Sequence, residues 1–235
     1  MKGMLLAAGH GTRFRPHTKR FAKVALPLLN LPLLSYPLYL LESLSLKHLV
    51  INTHHLADSI HKAVNRLIPA QYPIAFSHEA PNILDSAGGI GQARQQLVGD
   101  GSFIVANSDV VLIPSHAKGL DPFLKFHTKH KPLASLYLCA HSQVGREYGG
   151  IWIKDESVKG IVKTAIPGCN PLHFTGFMIL SDSILQRIPE GHPSHIFNDV
   201  LLPAIKEGCA VKAFVDVDAG WFDAGDEAHF LNTTK

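Results

Sequence analysis

Short apolar runs recur along this chain, with stretches of helical spacing between them. Residues 3–8 read as a buried strand ending at Gly9, 49–52 (LVIN) as a second, 74–77 as a third and 103–106 (FIVA) as a fourth. Between them, 57–67 places Ile60, Val64 and Leu67 on one helical face, and 89–97 reads as a helix that starts at a glycine pair. A helix over 122–130 and a strand over 134–140 follow. This alternation predicts an α/β fold, with a doubly wound, mainly parallel, Rossmann-like sheet covered by helices on both faces.

After Gly145 the pattern changes. Residues 151–154, 160–163 and 174–180 are short strands separated by turn residues, which predicts a mixed extension of the sheet. Residues 196–205 read as a helix, 211–215 as a strand and 227–231 as the start of a closing helix, with Asp226 as its N-cap. No repeat, low-complexity tract or Pro/Gly/Ser linker divides the chain, so residues 1–235 are expected to form a single domain.

Composition narrows the class. Of the 235 residues, 46% are hydrophobic and 17% charged, a balance that suits a buried core. The net charge of +3 lacks the basic excess of a nucleic-acid-binding protein. The opening MKGMLLAAGHGTR has too short an apolar run for a signal peptide. Residues 26–41 are the most apolar stretch, but Pro27, Pro32 and Pro37 interrupt them, so no membrane span is expected. Cys139, Cys169 and Cys209 are odd in number and form no CxxC pair, which points to a reduced, cytoplasmic protein without a zinc knuckle.

The chemistry concentrates where the first strand ends, in Leu6-Ala7-Ala8-Gly9-His10-Gly11-Thr12-Arg13. Ligands of open α/β sheets bind at the carboxyl ends of strands. A glycine loop there turns backbone N–H groups towards phosphate oxygens, Arg13 can add a bidentate grip, and Lys23 supplies a compact charge. A tight strand-to-helix turn would explain the glycines but not the clustered cations. The Walker pattern GxxxxGK[ST] is absent, and Phe14 stands where a dinucleotide fingerprint needs its third glycine.

The segment LAAGHGTRFRPHT closely resembles the LAAGxGTRxxPxT signature of the sugar-1-phosphate nucleotidyltransferases, nearest to the short bacterial enzymes acting on mannose 1-phosphate or N-acetylmuramic acid 1-phosphate. In order along the chain, Leu84-Asp85-Ser86-Ala87-Gly88-Gly89 resembles the family's nucleobase segment and Asn107-Ser108-Asp109 its metal motif. Tyr148-Gly149-Gly150 and Thr175-Gly176-Phe177 resemble its sugar-contacting turns, and Trp221-Phe222-Asp223-Ala224-Gly225-Asp226 its closing motif. Where the family carries Pro-Lys-Pro-Leu, this chain has Ala22-Lys23-Val24-Ala25; Ser108 replaces a common glycine and Asp226 a common threonine. The family's second phosphate lysine, in an EKP segment, has no counterpart here, and Lys163 is a loose candidate.

The resemblance implies a glycosyltransferase-A-type nucleotide-binding fold and the joining of a nucleoside triphosphate to a sugar 1-phosphate, with release of pyrophosphate. By it, Arg13 and Lys23 are the catalytic cations, and Ala7, Ala8, Gly9, Gly11, Thr12 and Gly88 bind the nucleotide. Gly149, Thr175 and Gly176 line the sugar pocket, and Asp109 and Asp223 hold Mg²⁺. Each acid follows an apolar strand or an aromatic pair, where a carboxylate can face a cleft, and Mg²⁺ takes such oxygen ligands. Read singly, Asp109 can equally cap a turn and Asp223 can be a surface acid. No further β-helix domain of the kind some relatives carry is expected after the closing motif. Two alternatives remain: a cytidylyltransferase acting on a phosphorylated alcohol, and a non-catalytic nucleotide-sugar sensor on the same fold. The sequence names neither base nor sugar and leaves a homo-oligomer open.

Overall fold

Alternate residues of the first strand are buried against two different sets of helices, and this sets the architecture. The computed structural model describes residues 1–67, 72–144, 149–224 and 230. In its first half the chain forms β1 (Lys2–Leu6), β2 (Pro27–Leu28), β3 (Leu31–Pro32), α1 (Ser35–Leu41), β4 (His48–Thr53), α2 (Ala57–Leu67) and β5 (Ile74–His78). Next come α3 (Asp85–Gln92), α4 (Arg94–Leu97), β6 (Ser102–Asn107), β7 (Val110–Ile113), α5 (Asp121–His130) and β8 (Ala134–Cys139). The second half adds β9 (Gly150–Lys154), β10 (Ser157–Val162), β11 (Asn170–Ser181), a π-helical turn over Ile196–Leu201, α6 (Leu202–Lys206), β12 (Val211–Val215) and β13 (Gly220–Asp223).

Nine strands form one sheet in the order β5-β4-β1-β6-β11-β8-β12-β10-β9. Period-2 alternation sends Leu5, Ile51 and Ile104 to a core shared with α1, α2 and α5. It sends Met4, Val50 and Val105 to the other face, against Ile90 of α3 and Val200. The expectation of helices on both faces therefore holds. The sheet as a whole, however, is mixed, not mainly parallel. β5, β4, β1 and β6 run parallel, but β11 is antiparallel to both β6 and β8, and β10 is antiparallel to β9 and β12. The reason lies in the connections. The first half uses helical crossovers, which return a strand parallel. β9 and β10 are joined by Asp155 and Glu156, both at positive φ (47° and 58°), which closes a tight antiparallel hairpin.

Three other expectations shift. The helix read as starting at the glycine pair starts at Asp85, with Gly88 and Gly89 inside it. Its first turn is satisfied from outside: Ala87 and Gly88 N–H donate to Ser194 O at 2.8 and 3.2 Å. Residues 196–205 divide into the π-helical turn and α6, where Pro203 enters. The sequence pattern does not predict strands β7 and β13, and among the described residues they pair only with each other, in register Val110↔Asp223 to Ile113↔Gly220. Asp216 braces the root of this ribbon, accepting from Ser115 N–H (3.0 Å), Ser115 Oγ (2.6 Å) and Tyr137 Oη (2.7 Å). Burial works to raise the Asp216 pKa, and these hydrogen bonds outweigh it and hold the carboxyl below its ordinary value. The closing helix expected over 227–231 lies outside the described residues except for Phe230, whose ring packs edge-on against Phe14 at 5.6 Å. Among the described residues no helix is long and apolar enough to cross a membrane.

Burial depresses two histidines, His127 (Nδ1 2.9 Å from Ser135 Oγ) and His173, each to about 4. An unfolded chain takes up these protons near pH 6.5. Their contribution to stability is thus complete above that value and is lost as pH falls towards 4. Thermal unfolding followed from pH 7.5 to 4.5 is expected to show a falling Tm, with a shallower fall in His127→Gln.

Candidate active site

The carboxyl ends of β1, β4 and β6 open into a cleft of about 620 Å³. The phosphate-loop candidate forms one wall. Ala7 is buried beneath it, its N–H donating to Asn52 Oδ1 at 2.6 Å, while Ala8, Gly9, Gly11, Thr12 and Arg13 line the space. Gly11 has φ +60°, and a Cβ there would lie 2.9 Å from both Lys23 Cβ and Thr18 Cγ2. Left-handed backbone and close packing thus both demand glycine. At Gly9 a Cβ would meet nothing within 4 Å, so the loop presents bare backbone to the cleft. Thr18 Oγ1 fixes the loop by donating to Gly11 O at 2.8 Å.

The two cations differ in setting. Arg13 is exposed at the cleft wall, with no ion-pair partner among the described residues. Lys23 is 7% exposed and lies over the Phe14 ring, with Nζ 5.2 Å from its centroid and 2.6 Å from Asp109 Oδ2. Asp109 follows β6, where Ser108 pins the turn by donating from both N–H and Oγ to Leu6 O.

β13 brings the second acid to the same edge. Asp223 is paired with Val110, the residue after Asp109. Thr175 and Gly176 buttress this ribbon from below. Thr175 is fully buried, donates from Oγ1 to Tyr137 O at 2.9 Å and accepts from Trp221 Nε1 on its carbonyl at 3.2 Å. Gly176 has φ +95°, and a Cβ there would lie 3.0 Å from Val110 Cγ2.

The structure therefore gathers Ala8, Gly9, Gly11, Thr12, Arg13, Lys23 and Asp109 around one cleft. Ala7, Gly88, Gly149, Thr175, Gly176 and Asp223 do not line it. Gly88 is buried in α3, where a Cβ would sit 2.6 Å from His192 O, so helix packing accounts for this glycine. Asp85 and Ser86 of the same segment, with Ile83 just before it, line the wall instead. Gly149 stands beside Lys163, the ideal Cβ being 4.0 Å from Lys163 Cγ. Tyr148, Gly225 and Asp226 lie outside the described residues.

His195 lines the far wall and had no signal in the sequence. It caps the π-helical turn: its N–H donates to Asp199 Oδ2 (2.7 Å), and its Nδ1 accepts from Phe197 N–H (3.2 Å) and Asn198 N–H (3.4 Å). An Nδ1 used as acceptor leaves the ring proton on Nε2, so the neutral ring offers a donor. Ile196 N–H donates to Ser86 Oγ at 3.0 Å, tying this wall together.

A glycine loop with cations at the carboxyl end of a parallel strand, with Asp109 at its edge, is an arrangement suited to binding phosphate groups. The chain belongs to the nucleotidyl transferase family, whose model matches residues 2–235. Among its relatives is a UTP–glucose-1-phosphate uridylyltransferase of Synechocystis sp., 27% identical over 96% of this chain. The chain spans 60% of that protein's length. Another is the N-acetylmuramate alpha-1-phosphate uridylyltransferase of Neisseria meningitidis serogroup B, 38% identical over 47% of this chain and 48% of the relative. The fold matches HddC from Yersinia pseudotuberculosis, solved with GMP-PN, at a TM-score of 0.78 and 24% identity, covering 99% of this chain and 97% of that one.

Proposed function

We propose that this chain, as a single domain over 1–235, transfers a nucleotidyl group from a nucleoside triphosphate to a sugar 1-phosphate and releases pyrophosphate. The observation that carries this reading is the cleft in which the glycine loop, Arg13, Lys23 and Asp109 meet. A sugar-phosphate oxygen attacks the α-phosphorus, the bond from that phosphorus to the bridging oxygen breaks, and pyrophosphate leaves. The attacking oxygen is already ionised at neutral pH, so no general base is required. The chain's own contribution is alignment and charge. The loop presents N–H groups to the phosphates, Arg13 grips them from the open wall, and Lys23 adds its charge from the closed one.

The donor set suits a hard divalent ion. Among the described residues no group of three or more His, Cys, Asp and Glu gathers as a metal site. Two carboxylates, Asp109 in the turn before β7 and Asp223 on β13 opposite Val110, are what Mg²⁺ ordinarily takes from a protein, with phosphate oxygens and water completing its shell. When bound, the ion would supply charge neutralisation at the phosphates. The free cysteines fit a cytoplasmic protein.

Pyrophosphate release measured over a panel of triphosphates with sugar 1-phosphates and phosphorylated alcohols tests the reading. Release with one sugar 1-phosphate is expected. Release with phosphorylated alcohols alone makes the chain a cytidylyltransferase-type enzyme, and nucleotide-sugar binding without any release makes it a sensor. For the wall at Asp85, Ser86 and His195, the expectation is contact with the nucleoside end. His195→Ala should raise the KM for the triphosphate about fivefold to tenfold, the worth of about one neutral hydrogen bond, and leave the KM for the sugar phosphate unchanged. The reverse pattern would move His195 to the sugar side.

A further inference from the structure

Below the cleft lies a carboxylate that the proposed reaction does not use. Glu79 is 0% exposed. Its Oε1 accepts from Asn52 Nδ2 at 2.7 Å, and its Oε2 accepts from Leu84 N–H at 2.7 Å. Asn52 in turn accepts the Ala7 N–H on Oδ1 at 2.6 Å. The Glu79 backbone is held as well, its N–H donating to Thr53 O (2.8 Å) and its carbonyl facing His54 Nδ1 (2.8 Å). A side chain at position 89 would intrude, since a Cβ on Gly89 would lie 2.6 Å from Glu79 Oε1 and 2.7 Å from Asn52 Nδ2.

This network joins the two walls of the cleft. Ala7 is the root of the glycine loop, and Leu84 precedes Asp85 and Ser86, which line the opposite wall. We propose that Glu79 is a positioning residue: through Asn52 it holds the phosphate loop and the 84–86 wall at a fixed separation, so that one nucleoside triphosphate spans both. This inference rests on the cleft being a triphosphate site and goes beyond that reading by naming what sets its span. The wiring is directional. Every donor in the chain faces one acceptor, and Asn52 cannot turn its amide round without setting Nδ2 against the Ala7 N–H.

Directionality supplies the test. In E79Q the new amide must point an N–H at either Asn52 Nδ2 or Leu84 N–H, so one donor faces another. In E79Q/N52D the pattern closes again: the introduced amide accepts from Leu84 N–H on its oxygen and donates from its nitrogen to the introduced carboxylate, which also accepts the Ala7 N–H. UTP, GTP, CTP, ATP and dTTP are titrated calorimetrically into purified wild-type protein, and the tightest binder is carried into the variants. E79Q is expected to weaken its Kd by about tenfold or more, and E79Q/N52D to recover to within about threefold of wild type. Loss of folded protein lowers the binding stoichiometry and the apparent kcat but leaves Kd unmoved, so a purely structural role is separated from positioning. Should E79Q not fold, N52A takes its place, since water from the cleft can reach that site, and the same weakening is expected. A wild-type Kd in E79Q or N52A, or a double variant as weak as E79Q, overturns the proposal. Binding needs no turnover. Wild-type protein that binds a triphosphate but releases no pyrophosphate overturns the proposed reaction alone, and wild-type protein that binds none of the five overturns both.

Discussion

Asp223→Asn is expected to lower turnover by on the order of a hundredfold or more, because the amide keeps the shape of the side chain and removes a ligand charge worth several kcal/mol at a metal site. Asp109→Asn should cost at least as much activity and also some stability. Its carboxylate is the 2.6 Å partner of the Lys23 ammonium, whose side chain is only 8% exposed, and an uncompensated charge there is costly. The double variant should lose no more turnover than the worse single, since either change dismantles one site. Initial rates at saturating substrate, read beside thermal unfolding of the same samples, decide this. Losses that multiply would assign the two acids to separate roles, and full activity in excess chelator would remove the metal from the reading altogether.

Arg13 and Lys23 should separate cleanly although the same phosphate-binding role is proposed for both. Arg13→Ala is expected to cost about tenfold to a hundredfold in kcat/KM, the worth of a charge-assisted hydrogen bond, with no change in Tm, because the side chain is exposed and makes no ion pair among the described residues. Arg13→Lys should recover only part of that loss if the grip is bidentate. Lys23→Ala should lose activity and also several degrees of Tm, since it empties a buried position over Phe14 and strips Asp109 of its partner. A Lys23→Ala protein with full activity would show that the ammonium serves the fold and not the phosphates.

The parts of the site that could be read in the sequence are those in which one short segment does the work. The strand, the glycine turn and Arg13 are contiguous, and their apolar-to-glycine transition is visible as text. FIVA running into Asn107-Ser108-Asp109 is legible for the same reason. What was not legible depends on pairing across the chain. Nothing local in Val110–Ile113 says that its partner is Gly220–Asp223, and the direction of β11 follows from a hairpin elsewhere. The glycine pair at 88 and 89 misled because glycine is disfavoured in helix interiors. Here it lets a helix approach His192 and Glu79, and tertiary packing overrides propensity. Glu79, Asn52 and His195 carry no motif of their own, and their significance is in what they face.

The two-stranded ribbon has a consequence for how the second acid is held. Among the described residues the large sheet takes its last strand at Val211–Val215, and the strand carrying Asp223 pairs with β7 alone. The placement of Asp223 is therefore set by the register Val110↔Asp223, and a slip in that pairing would shift the acid without disturbing the nine-stranded sheet.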